Sequence, residues 1–287
     1  MRIDRVGLLV LQGHISGMNT RARPGHTSKP EIIAHRGASR DAPENTVAAI
    51  KLGWEQQADG AECDVHVTAD DEVVLLHDPS LRRTGGMDVN VAEVDLATIR
   101  KVDAGAFKGE QWKGEKVPVI SEVLKVLPAG KKLVVEIKGG PGVVPALKRE
   151  IDKAVKAGVV KREQVEFICF DETVLRQAKT IMPECKALYL AGDYRERSPE
   201  ALATLIGLCR EAGFDGLDLD RGWPIGPAFV QRVHDAGLRL YVWTVNDPAK
   251  ARDLAAAGVD AITTDRPGLI REALERKVSS TRIRNPA

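Results

Sequence analysis

The stretch Ala61-Glu62-Cys63-Asp64-Val65, continued through Thr68-Ala69-Asp70-Asp71-Glu72 into Val73-Val74-Leu75-Leu76-His77, decides the fold. Ala61, Cys63 and Val65 share one face and Glu62 and Asp64 the other, the period-2 pattern of a strand. The connection from Val67 to Val73 is too short for a parallel crossover, which takes a dozen or more residues, so Val73 to His77 returns antiparallel as a hairpin. With the turn centred near Asp70 and Asp71, residue i pairs with residue 141 minus i, and Asp64 lies opposite His77.

Working outward, short β-type runs alternate with helix-type segments from Glu31 on: Ile32 to His35, Ala61 to Asp64, Leu133 to Lys138, Val165 to Phe170, Lys186 to Leu190, Gly216 to Asp220, Leu238 to Val245 and Ala261 to Thr264. Helix starts are marked at Asn45-Thr46, Ser198-Pro199 and Asp247-Pro248, and helix ends at Gly213, Gly237 and Gly258. Eight such βα units predict a closed parallel (β/α)8 TIM barrel. The stretch from Arg82 to Pro128 exceeds an ordinary crossover and reads as a small inserted subdomain following the hairpin. The expected organisation is a basic leader over 1–30, a barrel domain over 31–276 and a tail over 277–287.

At 287 residues the chain fits either two domains of about 150 or one barrel of about 250. Lys+Arg 42 against Asp+Glu 41 leaves +1, without the basic excess that nucleic-acid binding needs. A small-molecule partner is expected, and the oligomeric state is not legible. Cys63, Cys169, Cys185 and Cys209 lack metal-ligand spacing and read as buried hydrophobes. No apolar run is long enough for a membrane span or a full signal h-region. A cytoplasmic protein is expected, with export through a degraded signal in the leader as the alternative.

The chemistry lies on the inward strand faces. Glu62, Asp64, Glu136 and Lys138 oppose apolar partners on their strands, as Asp218 and Asp220 oppose Leu217 and Leu219. Their place at strand C-terminal ends is where barrel sites are built. Glu62, Asp64 and Glu136 should converge, and one lysine cannot neutralise three acids, so an oxygen-ligated divalent cation, Mg2+ or Ca2+, is expected. His35 ends the first strand and His77 the hairpin return, a pair suited to moving protons near neutral pH. Arg36 offers a fork of donors to phosphate and Lys138 a point charge, and together these groups describe phosphodiester chemistry. His14, His26, His66 (on an exposed hairpin arm) and His234 read as ordinary. Glu44, Asn45 and Thr46 read as helix-capping residues, and Trp243 as an inward ring facing a ligand.

The segments His35-Arg36-Gly37-Ala38-Ser39, Ala42-Pro43-Glu44-Asn45-Thr46, Glu62-Cys63-Asp64-Val65, His77-Asp78 with Arg83-Thr84, Glu136-Ile137-Lys138, Trp243-Thr244-Val245-Asn246 and Thr264-Asp265 resemble the glycerophosphodiester phosphodiesterases, over roughly residues 31 to 275. The resemblance implies a barrel hydrolase releasing glycerol 3-phosphate and an alcohol. It implies a divalent metal on Glu62, Asp64 and Glu136, acid-base roles for His35 and His77, phosphate contacts from Arg36 and Lys138, and Trp243 at the substrate pocket. Departures are slight: Cys63 stands where an aliphatic residue is usual, and Thr84-Gly85-Gly86 shortens a Thr-Thr-like run. Alternatives are a lysophospholipase D-like enzyme and a silent phosphodiester-binding barrel.

Overall fold

In the computed structural model, which describes residues 29–192 and 197–276, nine strands make one sheet. They are β1 (Glu31–Ala34), β2 (Gly60–Val67), β3 (Val73–Leu75), β4 (Lys132–Ile137), β5 (Val165–Cys169), β6 (Lys186–Ala191), β7 (Gly216–Asp220), β8 (Arg239–Trp243) and β9 (Ala261–Thr264). β2, β4, β5, β6, β7, β8, β9 and β1 pair in parallel in that order, and β1 pairs back onto β2. The ring is therefore a closed eight-stranded TIM barrel, with β3 outside it, antiparallel on β2.

Side-chain alternation sorts the barrel into an outside and an inside. Ala61, Cys63 and Val65, with Val135, Ile137, Leu217 and Leu219, face out into the main core beneath the helices. Ile33, Val134, Ile168, Leu188, Leu190 and Tyr241 fill the interior. Covering helices include α1 (Val47–Glu55), capped by Thr46, whose Oγ1 accepts from Ala49 N at 3.1 Å. Further on, Asp171, Ser198 and Asp247 cap the helices Glu172–Ile181, Pro199–Ala212 and Pro248–Ala257 through side-chain oxygens. Each satisfies backbone N–H groups that a helix start leaves open. All four cysteines are free and buried.

The hairpin register differs by one residue from the sequence reading. Val65 pairs with Leu75, His66 with Val74 and Val67 with Val73, so paired numbers sum to 140 and Leu76, not His77, lies opposite Asp64. A three-residue loop causes the shift: Asp71 has φ +61°, and Thr68 N donates to Glu72 O at 3.0 Å, which centres the turn on Asp70. Leu76 N then donates to Asp64 O at 3.1 Å, and His77 projects from the first residue beyond that contact.

Between β3 and β4 the chain makes short helices at Arg82–Gly85 and Leu96–Ile99 before the helix Ile120–Val126. Ile120, Val123 and Leu124 of that last helix face the main core, making it the barrel's own crossover. The residues before it close over a second core of Val74, Leu76, Leu81, Val91, Ile99, Val102, Ala104 and Val117. Val73 and Leu75 belong to the main core, so β3 is the wall between the two. Within the described residues no helix is long and apolar enough to cross a membrane. The leader, but for its last two residues, and the tail 277–287 lie outside the described residues.

Candidate active site

The neighbouring strands β2 and β4 bring Glu62, Asp64 and Glu136 together, with one oxygen of each within 4.8 Å of the others. Asp64 is fully buried and doubly held by Asn45, whose Nδ2 donates to Asp64 Oδ2 at 2.8 Å and whose Oδ1 accepts from Asp64 N at 3.1 Å. Capping thus describes Thr46 but not its neighbours: Asn45 serves Asp64, and Glu44 holds arginines. The local Asx signal was the same for either role, and only the fold brings β2 within reach.

Arg36 begins a turn with φ +55°, and its N donates to Glu62 Oε2 at 2.8 Å. Its Nη1 donates to Glu44 Oε1 at 2.9 Å, and its Nε lies 3.1 Å from Asp64 Oδ2. The turn is pinned by Gly37, at φ +81°, where a Cβ would sit 2.3 Å from the Ala49 carbonyl carbon of α1; any side chain would push the loop carrying His35 and Arg36 off the helix. Lys138 Nζ lies 2.6 Å from Glu136 Oε1 and 3.3 Å from Asp64 Oδ1.

Two cations therefore meet three buried acids. Burial tends to raise Asp64, but Arg36, Lys138 and the Asn45 hydrogen bond outweigh it and keep the carboxyl below its ordinary range. Glu62 goes the other way, pushed well up by burial and then by Asp64 and Glu136. Glu136 rises to about 7 through burial and Asp64, with Lys138 opposing. Glu62 Oε1 is buried and accepts no hydrogen bond, and Asp64 Oδ1 has only the longer ion pair with Lys138. Hard oxygen donors with unspent acceptor capacity fit a divalent cation.

The two histidines are held alike. His35 Nδ1 is 2.6 Å from Asp265 Oδ1, and Asp265 accepts from Ser39 Oγ at 3.0 Å and Asn246 Nδ2 at 2.5 Å. Burial works against the Asp265 charge, but the His35 contact and these donors hold the carboxyl far below its usual range. His77 Nδ1 is 2.7 Å from Asp78 Oδ1, and Asp78 is held at about 2, chiefly by Arg83, whose Nε donates to Asp78 Oδ2 at 2.7 Å. Arg83 also grips both oxygens of Glu44 at 2.8 Å, so one guanidinium braces the supports of both His77 and Arg36. With each Nδ1 facing a carboxylate, Nε2 is the nitrogen left for a ligand. Burial lowers the His77 pKa, with Arg36 and Lys138 assisting, against Asp64 and Asp78. His66 is not on an exposed arm: it is half-buried, with Nε2 3.2 Å from the His77 carbonyl oxygen. His234 lies 2.9 Å from Asp260, away from the site.

Both histidines, both cations, Glu62 and Glu136 line one cavity of about 250 Å³, with Asp64 buried behind them. Its polar half is His35, Arg36, Glu62, His77, Glu136 and Lys138; the other half is Ile168, Phe170, Leu190, Trp243 and Thr263, with Asp218 and Thr244. Trp243 meets Phe170 edge to face at 5.8 Å, and its Nε1 donates to the Asp218 carbonyl at 3.3 Å. A larger, more open groove of about 490 Å³ beside Val47, Arg100 and Lys125 gathers none of these groups. The sequence reading gave Asn45 a capping role, held Asp78 and Asp265 only as parts of resembling segments, placed Asp218 inward without a task, and did not single out Phe170. The inward parity of Asp218 was the available signal for that residue, and the adjacency of β1 and β9 for Asp265.

Residues 35–269 match the model of the glycerophosphoryl diester phosphodiesterase family. The chain belongs to that family. It is 34% identical to the glycerophosphodiester phosphodiesterase of Caldanaerobacter subterraneus subsp. tengcongensis over 83% of this chain and 95% of that one. Its fold matches an Oleispira antarctica phosphodiesterase in complex with the product sn-glycerol-3-phosphate, at TM-score 0.75 and 28% identity, covering 86% and 98% of the two chains. It also matches a glycerophosphodiester phosphodiesterase from Agrobacterium tumefaciens at TM-score 0.70 and 28% identity, covering 85% and 99%. In this phosphodiesterase the histidine pair and both cations share one cavity with Glu62 and Glu136, and Asp64 lies within 4.8 Å of those two acids.

Proposed function

We propose that residues 31–276 hydrolyse glycerophosphodiesters to glycerol 3-phosphate and an alcohol, with Glu62, Asp64 and Glu136 holding a Mg2+ or Ca2+ ion and His35 and His77 moving the protons. The observation that carries this reading is the pair of imidazoles, each buttressed at Nδ1 by a carboxylate and each lining the cavity that Glu62 and Glu136 also line. A bound divalent ion would draw negative charge from the phosphoryl oxygens and lower the barrier to attack. Arg36 and Lys138 hold the phosphate from the sides, and Trp243 gives the glycerol carbons a flat apolar wall.

One imidazole accepts the proton of the attacking oxygen, from water or from the substrate's own 2-hydroxyl. As the bond from phosphorus to the leaving alcohol breaks, the other imidazole donates a proton to that oxygen. Attack by the 2-hydroxyl gives a cyclic phosphate, which water then opens with the proton roles reversed. Either route consumes one water and returns both histidines to their starting states.

A cavity of about 250 Å³ lies below the usual range for drug-sized ligands and suits a soluble head rather than a lysophospholipid. Four free, buried cysteines suit a reducing, cytoplasmic compartment. The test is release of glycerol 3-phosphate from glycerophosphocholine after chelation and after return of Mg2+ or Ca2+. Expected is loss and recovery of turnover, with His35→Ala and His77→Ala each lower by on the order of a hundredfold. Full turnover in protein free of metal by elemental analysis overturns the cation's role. No product from glycerophosphocholine, glycerophosphoethanolamine or glycerophosphoglycerol overturns the reading as a whole.

A further inference from the structure

Asp218 is an acid to which the machinery above gives no task. It sits in the middle of β7, only 1% exposed, and lines the half of the cavity otherwise built from Ile168, Leu190 and Trp243. Its Oδ1 is buried without a hydrogen-bond partner. Among the described residues no cation pairs with it, whereas Asp220, two residues on, is held by Arg197 at 2.7 Å. A buried carboxyl oxygen left without a partner costs stability. Burial, followed by the charges of Glu136 and Glu166, drives the carboxyl well up, so its neutral form presents both a donor and an acceptor.

Its place in the ring says what it meets. Going round the barrel, β2 and β7 are four strands apart among eight, so Asp218 stands across the interior from Glu62 and Asp64. A glycerophosphodiester whose phosphate lies against the β2 and β4 acids extends its glycerol across the cavity toward β7. We propose that Asp218 is a specificity-determining residue that hydrogen-bonds the terminal hydroxyl of the glycerol unit, the hydroxyl farthest from the phosphate. The inference rests on the functional reading above and sharpens it: the preferred substrate carries a free primary hydroxyl on the side of the phosphate opposite the leaving alcohol.

The experiment compares glycerophosphocholine with the propane-1,2-diol phosphodiester of choline, which keeps the 2-hydroxyl and lacks only the terminal one, in wild type, Asp218→Leu and Asp218→Asn. A site built to bond a hydroxyl rejects the analogue lacking it, so the wild type should favour glycerophosphocholine in kcat/KM by on the order of a hundredfold. Asp218→Leu should bring the two within about threefold by losing activity on glycerophosphocholine alone. Asp218→Asn, which keeps a donor and an acceptor, should retain most of the preference. Equal loss on both substrates in Asp218→Leu marks a structural role and overturns the proposal. So does a wild type that treats both alike, a result that needs no variant to fold. Wild type inactive on both overturns the functional reading itself and this inference with it.

Discussion

Glu62 near the top of the barrel and Glu166 at its base are equally buried, 1% and 0% exposed, yet their protons are held in opposite ways. Glu166 accepts from Tyr241 Oη at 2.7 Å and from Lys132 and Lys186 at 3.1 and 3.2 Å, with Arg239 at 4.0 Å. Burial alone would raise it, but these cations hold it below its ordinary value. Glu62 has one backbone donor, from Arg36, and two carboxylates for company, and is pushed up. Depth does not set the charge state of a barrel carboxylate; the sum of neighbouring charges does. The base is neutralised from within the chain and acts as a plug, while the C-terminal face gathers three acids around two cations.

The contrast breaks most visibly on substitution. Glu62→Gln is expected to lower kcat/KM by on the order of a thousandfold, about 4 kcal/mol, while the metal-free protein melts no lower than wild type, because one of three crowded, mutually repelling acids has been removed. Parallel kinetics and thermal unfolding check this, and a clear fall in melting temperature would erase the distinction between the two ends. Glu166→Gln should do the reverse, costing about 3–5 kcal/mol in denaturant unfolding by leaving its cations unpaired, with kcat changed less than threefold.

A pH series sharpens the comparison. Between the unfolded carboxylate range near 4.5 and the value of about 7 for Glu136, the native metal-free protein binds more protons than the unfolded chain. Its stability therefore falls as pH rises through that window. Glu166 has the opposite sign: its lowered value gives stability that is present above the unfolded range and lost as pH falls through the folded one. Urea midpoints from pH 4 to 8 should show the neutral-side fall in wild type and a smaller one in Glu136→Gln, since Glu62 and Asp218, also pushed up, still contribute.

The smallest effect is expected at Asp78→Asn, about tenfold in kcat, since the imidazole keeps an acceptor but loses a charge. Removing an anion lowers the His77 pKa further, so whichever limb of the pH–rate profile reports His77 should move to lower pH. A shift upward would show that Asp78 does not govern that nitrogen.

The barrel and the acid trio were legible because both rest on short-range pattern. Period-2 alternation sets Glu62 and Asp64 against Ala61, Cys63 and Val65, and that parity survives any error at strand ends. The hairpin register was not legible to the residue, because it hangs on whether Asp71 takes a positive φ, which residue type permits without requiring. The supports of the site were hidden for another reason. His35 and Asp265 lie 230 positions apart, and Asn45 offers the same amide to a helix start as to Asp64. No local period encodes which partner wins once the ring has closed.

The wall that β3 makes between two cores reaches into the time domain. Val74 and Leu76 are tied to an eight-residue core, while Val73 and Leu75 are tied to the much larger one beneath the helices. A small core opens at lower free energy than a large one, so the insertion forms its own unit of local unfolding. His77 follows directly on that wall and is steadied by Arg83, which belongs to the insertion. Amide protons of Leu81 to Val102 should therefore exchange with deuterium ahead of those in β4 to β8. Each such opening carries off one of the two histidines while the ring, and the acids it presents, stay assembled.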